Sequence, residues 1–150
     1  MQTITVEKVV AASGPDTFAW FADAGNYTRS PFVVRARLVR RGRDAAYGLG
    51  AVRELTWLFG WFRERIVDYH PPREFSYLVE RSIPPVRHDG GRLTFTEVPG
   101  GTRVRWQTTV EVALPFGADA VTRRMGVPFI AYTFGNVIKT AGATLTGQEF

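Results

Sequence analysis

The sequence predicts an α+β domain, a curved antiparallel sheet of seven strands wrapped around one long C-terminal helix. Two observations carry this. Between residues 34 and 112 apolar and polar side chains alternate with a period of two, the pattern of half-buried strands. Beyond Pro115 the period changes, and Ile130, Phe134, Val137, Ile138, Ala141 and Leu145 recur at three- and four-residue steps as one apolar stripe. A sheet with one apolar face needs a cover, and that helix supplies it.

The elements follow in order. Thr3 to Val10 alternates as a first strand. Ser13-Gly-Pro-Asp opens a helix, with a capping serine and a proline in the first turn, where a missing N–H costs nothing. That helix ends near Ala24-Gly25, and Asn26 to Ser30 makes a second short one stopped by Pro31. Val34, Ala36 and Leu38 then alternate with Arg35 and Arg37 as a strand. Leu49 to Leu58 and Trp61 to Tyr69 are strands joined by a Phe59-Gly60 turn. Phe75, Tyr77 and Val79 mark the next strand, and Ile83-Pro-Pro-Val reads as a loop. Arg92 to Glu97 and Arg103 to Val112 form a last hairpin. The covering helix runs from about Ala118 to Leu145, with Gly126 and Pro128 interrupting its start.

The chain of 150 residues fits a single domain, 1–150, with 45% hydrophobic and 22% charged residues. Without cysteine it has no disulfide and no thiol-based metal site, and His70 and His88 lack metal-ligand spacing. Neither a metal nor another cofactor is expected. Of 19 basic residues only Lys8 and Lys139 are lysine, and the net charge is +5. Such a balance reads either as a partner bearing phosphate or as a solvated arginine face. The arginines sit at every second position of several strands, which favours the face; Arg35, Arg37, Arg63, Arg65, Arg103 and Arg105 are expected on the convex side. No aromatic residues interleave them, so nucleic-acid binding ranks last. The N-terminal segment lacks the pattern of a signal peptide and no apolar run is long enough for a membrane span, which gives a cytoplasmic expectation.

A Phe59-Gly60 turn places Arg53, Leu55, Trp57, Phe62, Glu64 and Ile66 on one face, with Arg53 and Glu64 as diagonal neighbours. A buried charge must be paired or meet a ligand. Arg53 and Glu64 therefore form either a salt bridge that fixes register or a catalytic pair, Arg53 holding an oxyanion and Glu64 moving protons. Tyr77 shares the inward parity of Phe75 and Val79. Trp106 and Thr108 share that of Val104 and Val110, as cavity wall. His88, before Gly90-Gly91, is the one candidate histidine for acid–base work, against the reading of a solvated loop residue. Ile130, Phe134 and Ile138 supply the helix side of the pocket. The tip Leu58-Phe-Gly-Trp-Phe is anomalously apolar; Phe59 and Trp61 read as a lid, a fixed packing contact or a dimer contact.

Phe21-Ala-Asp-Ala-Gly-Asn-Tyr, Gly48-Leu-Gly-Ala-Val-Arg-Glu-Leu, Glu64-Arg-Ile-Val-Asp-Tyr-His-Pro-Pro, Phe75-Ser-Tyr and Gly101-Thr-Arg-Val-Arg-Trp resemble, in this order, the START-like superfamily, also called SRPBCC. The resemblance spans nearly the whole chain and implies the helix-grip fold. Gly50-Ala-Val-Arg-Glu-Leu with Glu64-Arg-Ile is also similar to plant abscisic-acid receptors, where the matching glutamate faces the hormone. The gate loop and latch of those receptors are absent here, so that function is rejected. Binding of a small hydrophobic or aromatic ligand is implied. The first reading is a polyketide cyclase/dehydrase-like enzyme, closing rings by aldol addition or removing water. The second is a non-catalytic carrier of a lipid, quinone or polyketide, with the 58–62 hairpin touching a membrane or a second copy.

Overall fold

The computed structural model describes residues 1–147. Strand β1 (Gln2–Val10) leads into α1 (Gly14–Ala22) and a 3₁₀ turn over Ala24–Arg29. Six strands follow: β2 (Val33–Arg40), β3 (Val52–Trp57), β4 (Gly60–His70), β5 (Glu74–Ile83), β6 (Val86–Val98) and β7 (Gly101–Val112). They form one antiparallel sheet in the order β1-β7-β6-β5-β4-β3-β2. The chain closes with α2 (Ala118–Val121), a π-helical turn over Thr122–Gly126 and α3 (Val127–Thr146). The expected helix-grip architecture is therefore present.

Local chemistry accounts for the boundaries. Ser13 caps α1, its Oγ accepting from the Asp16 amide at 3.2 Å. The irregular turn at Gly126 with Pro128 behind it divides α2 from α3, as the sequence requires. The stripe of α3 faces inward: Phe134, Val137, Ile138 and Ala141 are buried against the sheet. Phe18, Phe21, Phe75 and Phe95 fill the core beneath α1, with ring centroids 5.3–6.1 Å apart for the packed pairs.

Three local expectations are corrected. The β3–β4 turn is Leu58-Phe59, with Trp57 paired to Gly60, so Arg53 stands directly opposite Glu64 and not diagonal to it. The first of the paired strands starts at Val52, not Leu49, because Gly50 adopts φ +83. An extra residue at Val34 makes Val33 the buried one and leaves Val34 exposed.

The six arginines named above lie on the convex side, exposed or half-buried. Several meet acids there: Arg37 with Glu54 at 3.8 Å, Arg65 with Glu80 at 3.0 Å, and Arg105 with Glu7 at 3.6 Å. This is a solvated, partly paired face. No described helix is long and apolar enough to cross a membrane.

Candidate ligand-binding and catalytic site

Arg53 points from the middle of β3 into the concave face and is 1% exposed. Its Nε donates to Glu64 Oε1 at 3.0 Å. The guanidinium carbon lies 5.5, 5.6 and 5.7 Å from the rings of Tyr27, Phe75 and Tyr77. Both terminal nitrogens have no hydrogen-bond partner among the described residues, so Glu64 and three ring faces hold the charge. Burial opposes ionisation of Arg53, but Tyr27, Glu64 and Tyr77 together raise its pKa above the ordinary value. Arg53 stays cationic. Burial also pushes the Glu64 carboxyl above the usual carboxylate range, and the charge and hydrogen bond of Arg53 offset only part of that.

A cavity of about 50 Å³ lies between the sheet and α3. Its walls include Trp57, Phe59, Phe62, Glu64, Tyr77, Val79, His88, Trp106, Thr108, Ile130 and Phe134. Such a space takes only a few water-sized molecules. It is small because Phe134 stacks on Trp106, with centroids 3.9 Å apart and planes 14° apart. A larger open groove of about 1010 Å³ runs outside, between β1 and α3. Lys8 and Lys139 line it, without Glu64, Tyr77 or His88, so the small cavity is where the chemistry converges.

The polar groups of the cavity are ordered by their neighbours. Trp106 Nε1 donates to the Tyr77 hydroxyl at 2.9 Å, which leaves the tyrosine's own hydrogen available to donate. Burial raises the Tyr77 pKa, so it remains a neutral donor. His88 Nδ1 accepts from the Val79 amide at 3.1 Å and the Gly90 amide at 3.3 Å. The neutral ring therefore carries its proton on Nε2, which donates to Thr108 Oγ1 at 2.7 Å. Thr108 in turn keeps its own hydrogen to give. Tyr77 and His88 stack at 5.6 Å and 17°, which fixes both rings.

Burial lowers the His88 pKa from 6.5 to about 4. A depressed folded-state value means that His88 contributes stability above pH 6.5, lost as the pH falls towards 4. Titration of the His88 ring followed by NMR should accordingly show its midpoint near pH 4, with the midpoint of urea unfolding declining over the same interval. A midpoint near 6.5 would contradict the buried, neutral ring.

The candidates thus separate. Glu64, Tyr77, His88, Trp57, Phe59, Phe62, Trp106, Thr108, Ile130 and Phe134 meet at the cavity. Leu55, Ile66 and Ile138 are fully buried core residues off its wall, and Arg53 reaches it only through Glu64. Trp61 is corrected: it pairs with Thr56 on the other face, its indole donating to Glu54 Oε2 at 3.2 Å, so it does not overhang the cavity. His88 is corrected as well, from a loop to strand β6 beside a bulge. Tyr27 has no site signal in the sequence, because a short 3₁₀ turn offers no periodicity; its hydroxyl donates to the Phe21 carbonyl, and burial raises its pKa to about 12. Val79 and Val110 were legible by strand parity. On the convex side Asp68, His70 and Glu74 offer ligand atoms within 4.8 Å of one another, His70 bonding Asp68 at 2.6 Å.

A sheet gripping one helix around a small apolar cavity with a buried carboxyl defines a helix-grip domain. The chain belongs to the polyketide cyclase/dehydrase and lipid transport family, whose profile matches residues 1–142. Among solved structures, a protein from Thermus thermophilus aligns with a TM-score of 0.79 at 13% identity, over 99% of this chain and 100% of that one. A START superfamily protein from Mycobacterium smegmatis gives 0.74 at 16% identity, covering 98% and 99%. Ara h 8.0201 gives 0.70 at 12% identity, covering 97% and 98%. At these identities the structures establish the fold alone. No curated protein matches the sequence.

Proposed function

We propose that the protein binds a small, largely apolar molecule bearing a carbonyl in the cavity, the Phe134 ring giving up its seat on Trp106 to admit it, and acts on it as a cyclase/dehydrase-type enzyme. The observation that carries this reading is Glu64, a buried carboxyl with a raised pKa that lines the cavity while its oxygen Oε1 is held by Arg53. A buried carboxyl whose pKa is raised is a stronger base than a free one and is suited to take and return a proton. Tyr77 and Thr108 each retain a hydrogen on the same wall and would donate to the carbonyl oxygen as negative charge develops there. The reaction then needs proton removal beside the carbonyl by Glu64, stabilisation of the enolate by the two hydroxyls, and attack of the enolate carbon on a second carbonyl of the same chain. Return of the proton from Glu64 completes aldol closure. Arg53 is a positioning residue that keeps Glu64 in place and does not touch the ligand.

The test is a linear poly-β-keto thioester, followed by growth of aromatic absorbance, beside binding of a fluorescent naphthalene probe. Wild type should accelerate closure, and Glu64→Gln should lose about a hundredfold in rate while still binding the probe. Probe binding without acceleration by wild type would leave a carrier and remove the enzyme.

A further inference from the structure

Seven strand termini meet at one end of the sheet: β3, β5 and β7 finish there, and β1, β2, β4 and β6 start. Leu58 occupies the β3–β4 turn at that end, its amide bonded to the Phe32 carbonyl at 2.9 Å. Ile83 closes β5, and the Ala113 amide reaches the Pro85 carbonyl at 3.1 Å, bringing the segment after β7 to the same place. Phe116 follows on that segment. The start of α3 is joined to this end by Phe129 on Phe59 at 5.4 Å and Tyr132 on Phe32 at 5.5 Å.

These side chains are unusually open to solvent. Leu58, Ile83, Phe116, Met125, Phe129 and Tyr132 make up six of the twelve exposed large apolar residues among the described ones, and Phe116 is 90% exposed. Scattered apolar residues need no cause, but this concentration at one end does. Arg123 and Arg124 sit in the π-helical turn between α2 and α3, beside Met125. Arg123 shares Asp119 at 3.4 Å, whereas Arg124 meets no acid among the described residues. The patch also adjoins the cavity, since Phe59 both lines it and carries Phe129.

We propose that this end docks on an anionic lipid surface and sets the cavity rim against the bilayer. Aromatic and aliphatic tips beside arginines suit the interface between headgroups and acyl chains. A second copy is disfavoured by the same charges, because an isologous contact would bring the arginines of two chains of net charge +5 together. The inference stands on exposure and charge and is independent of whether Glu64 performs catalysis.

Co-sedimentation tests it, using phosphatidylcholine vesicles with and without phosphatidylglycerol. Wild type should pellet with the mixed vesicles and far less with phosphatidylcholine alone. Arg124→Gln should weaken that partition about fivefold, the equivalent of roughly 1 kcal/mol per arginine at an anionic surface. Phe116→Ser with Met125→Ser should weaken it at least tenfold, and these exposed positions should leave thermal unfolding unchanged. Equal partition of wild type and both variants overturns the proposal, as does failure of wild type to bind mixed vesicles. Sedimentation equilibrium showing a dimer that the apolar variant abolishes overturns it too, assigning the patch to a second copy.

Discussion

Replacing Arg53 with methionine should lower the unfolding free energy by about 3–5 kcal/mol at neutral pH, measured by urea titration. Methionine restores most of the aliphatic stem, so the loss comes from the charge. Glu64 would remain 6% exposed beneath Phe62 and Tyr77 with no cation beside it. Its pKa is already raised by burial in the presence of Arg53 and must climb further without it. A group with a raised folded-state pKa contributes fully below its unfolded value, here 4.5, and loses that contribution as pH rises through the folded value. The deficit of the variant should therefore shrink as pH is lowered towards 4.5, where the carboxyl is neutral. Adding Glu64→Leu should recover most of the stability at neutral pH, because removing both charges leaves none unpaired. A loss below about 1 kcal/mol that does not change with pH would mean the pair is hydrated and its burial is wrong.

The legibility of this pair in the sequence shows which signals survive and which do not. Parity places Arg53 and Glu64 on the same concave face, and the observed turn, one residue earlier than expected, leaves that unchanged. Moving the turn from Phe59-Gly60 to Leu58-Phe59 shifts the register by two, which changes partners but not faces. The same parity puts Trp61 opposite to Phe62, so its place on the convex side was available in the sequence; its position near an apolar tip obscured that. His88 was less accessible. Asp89, Gly90 and Gly91 imitate a loop, yet β6 begins at Val86 and passes through them with a register shift. Gly91 is required by packing: a Cβ there would lie 2.2 Å from Tyr77 Cζ. That close approach comes from the neighbouring strand β5, where Tyr77 pairs directly with Gly91, and a cross-strand contact of this kind leaves no periodic pattern in the sequence. The volume of the cavity is not written in periodicity at all, since it depends on how one side chain of α3 is seated.

That side chain is Phe134, and its removal should have the second large effect. It is 7% exposed, stacks on Trp106 at 3.9 Å and packs against Trp57 at 5.7 Å. Phe134→Ala should destabilise the protein by about 3–5 kcal/mol, from lost transfer free energy and from the space left behind. The ring lies flat on the indole of Trp106, the position a planar ligand would occupy to reach Glu64, Tyr77 and Thr108. In this cavity of about 50 Å³ Phe134 therefore competes with such a ligand for one seat. The alanine variant should bind a naphthalene probe more tightly than wild type, by about tenfold if the enlarged space is filled as an apolar pocket. Part of the lost stability should return on binding, read as a rise in melting temperature with probe concentration. Calorimetry of the probe against both proteins decides the matter: tighter binding identifies Phe134 as the occupant to be displaced. Weaker binding by the variant would make the ring a wall that ligand contacts, and the route into the cavity would then have to open elsewhere, at Phe59.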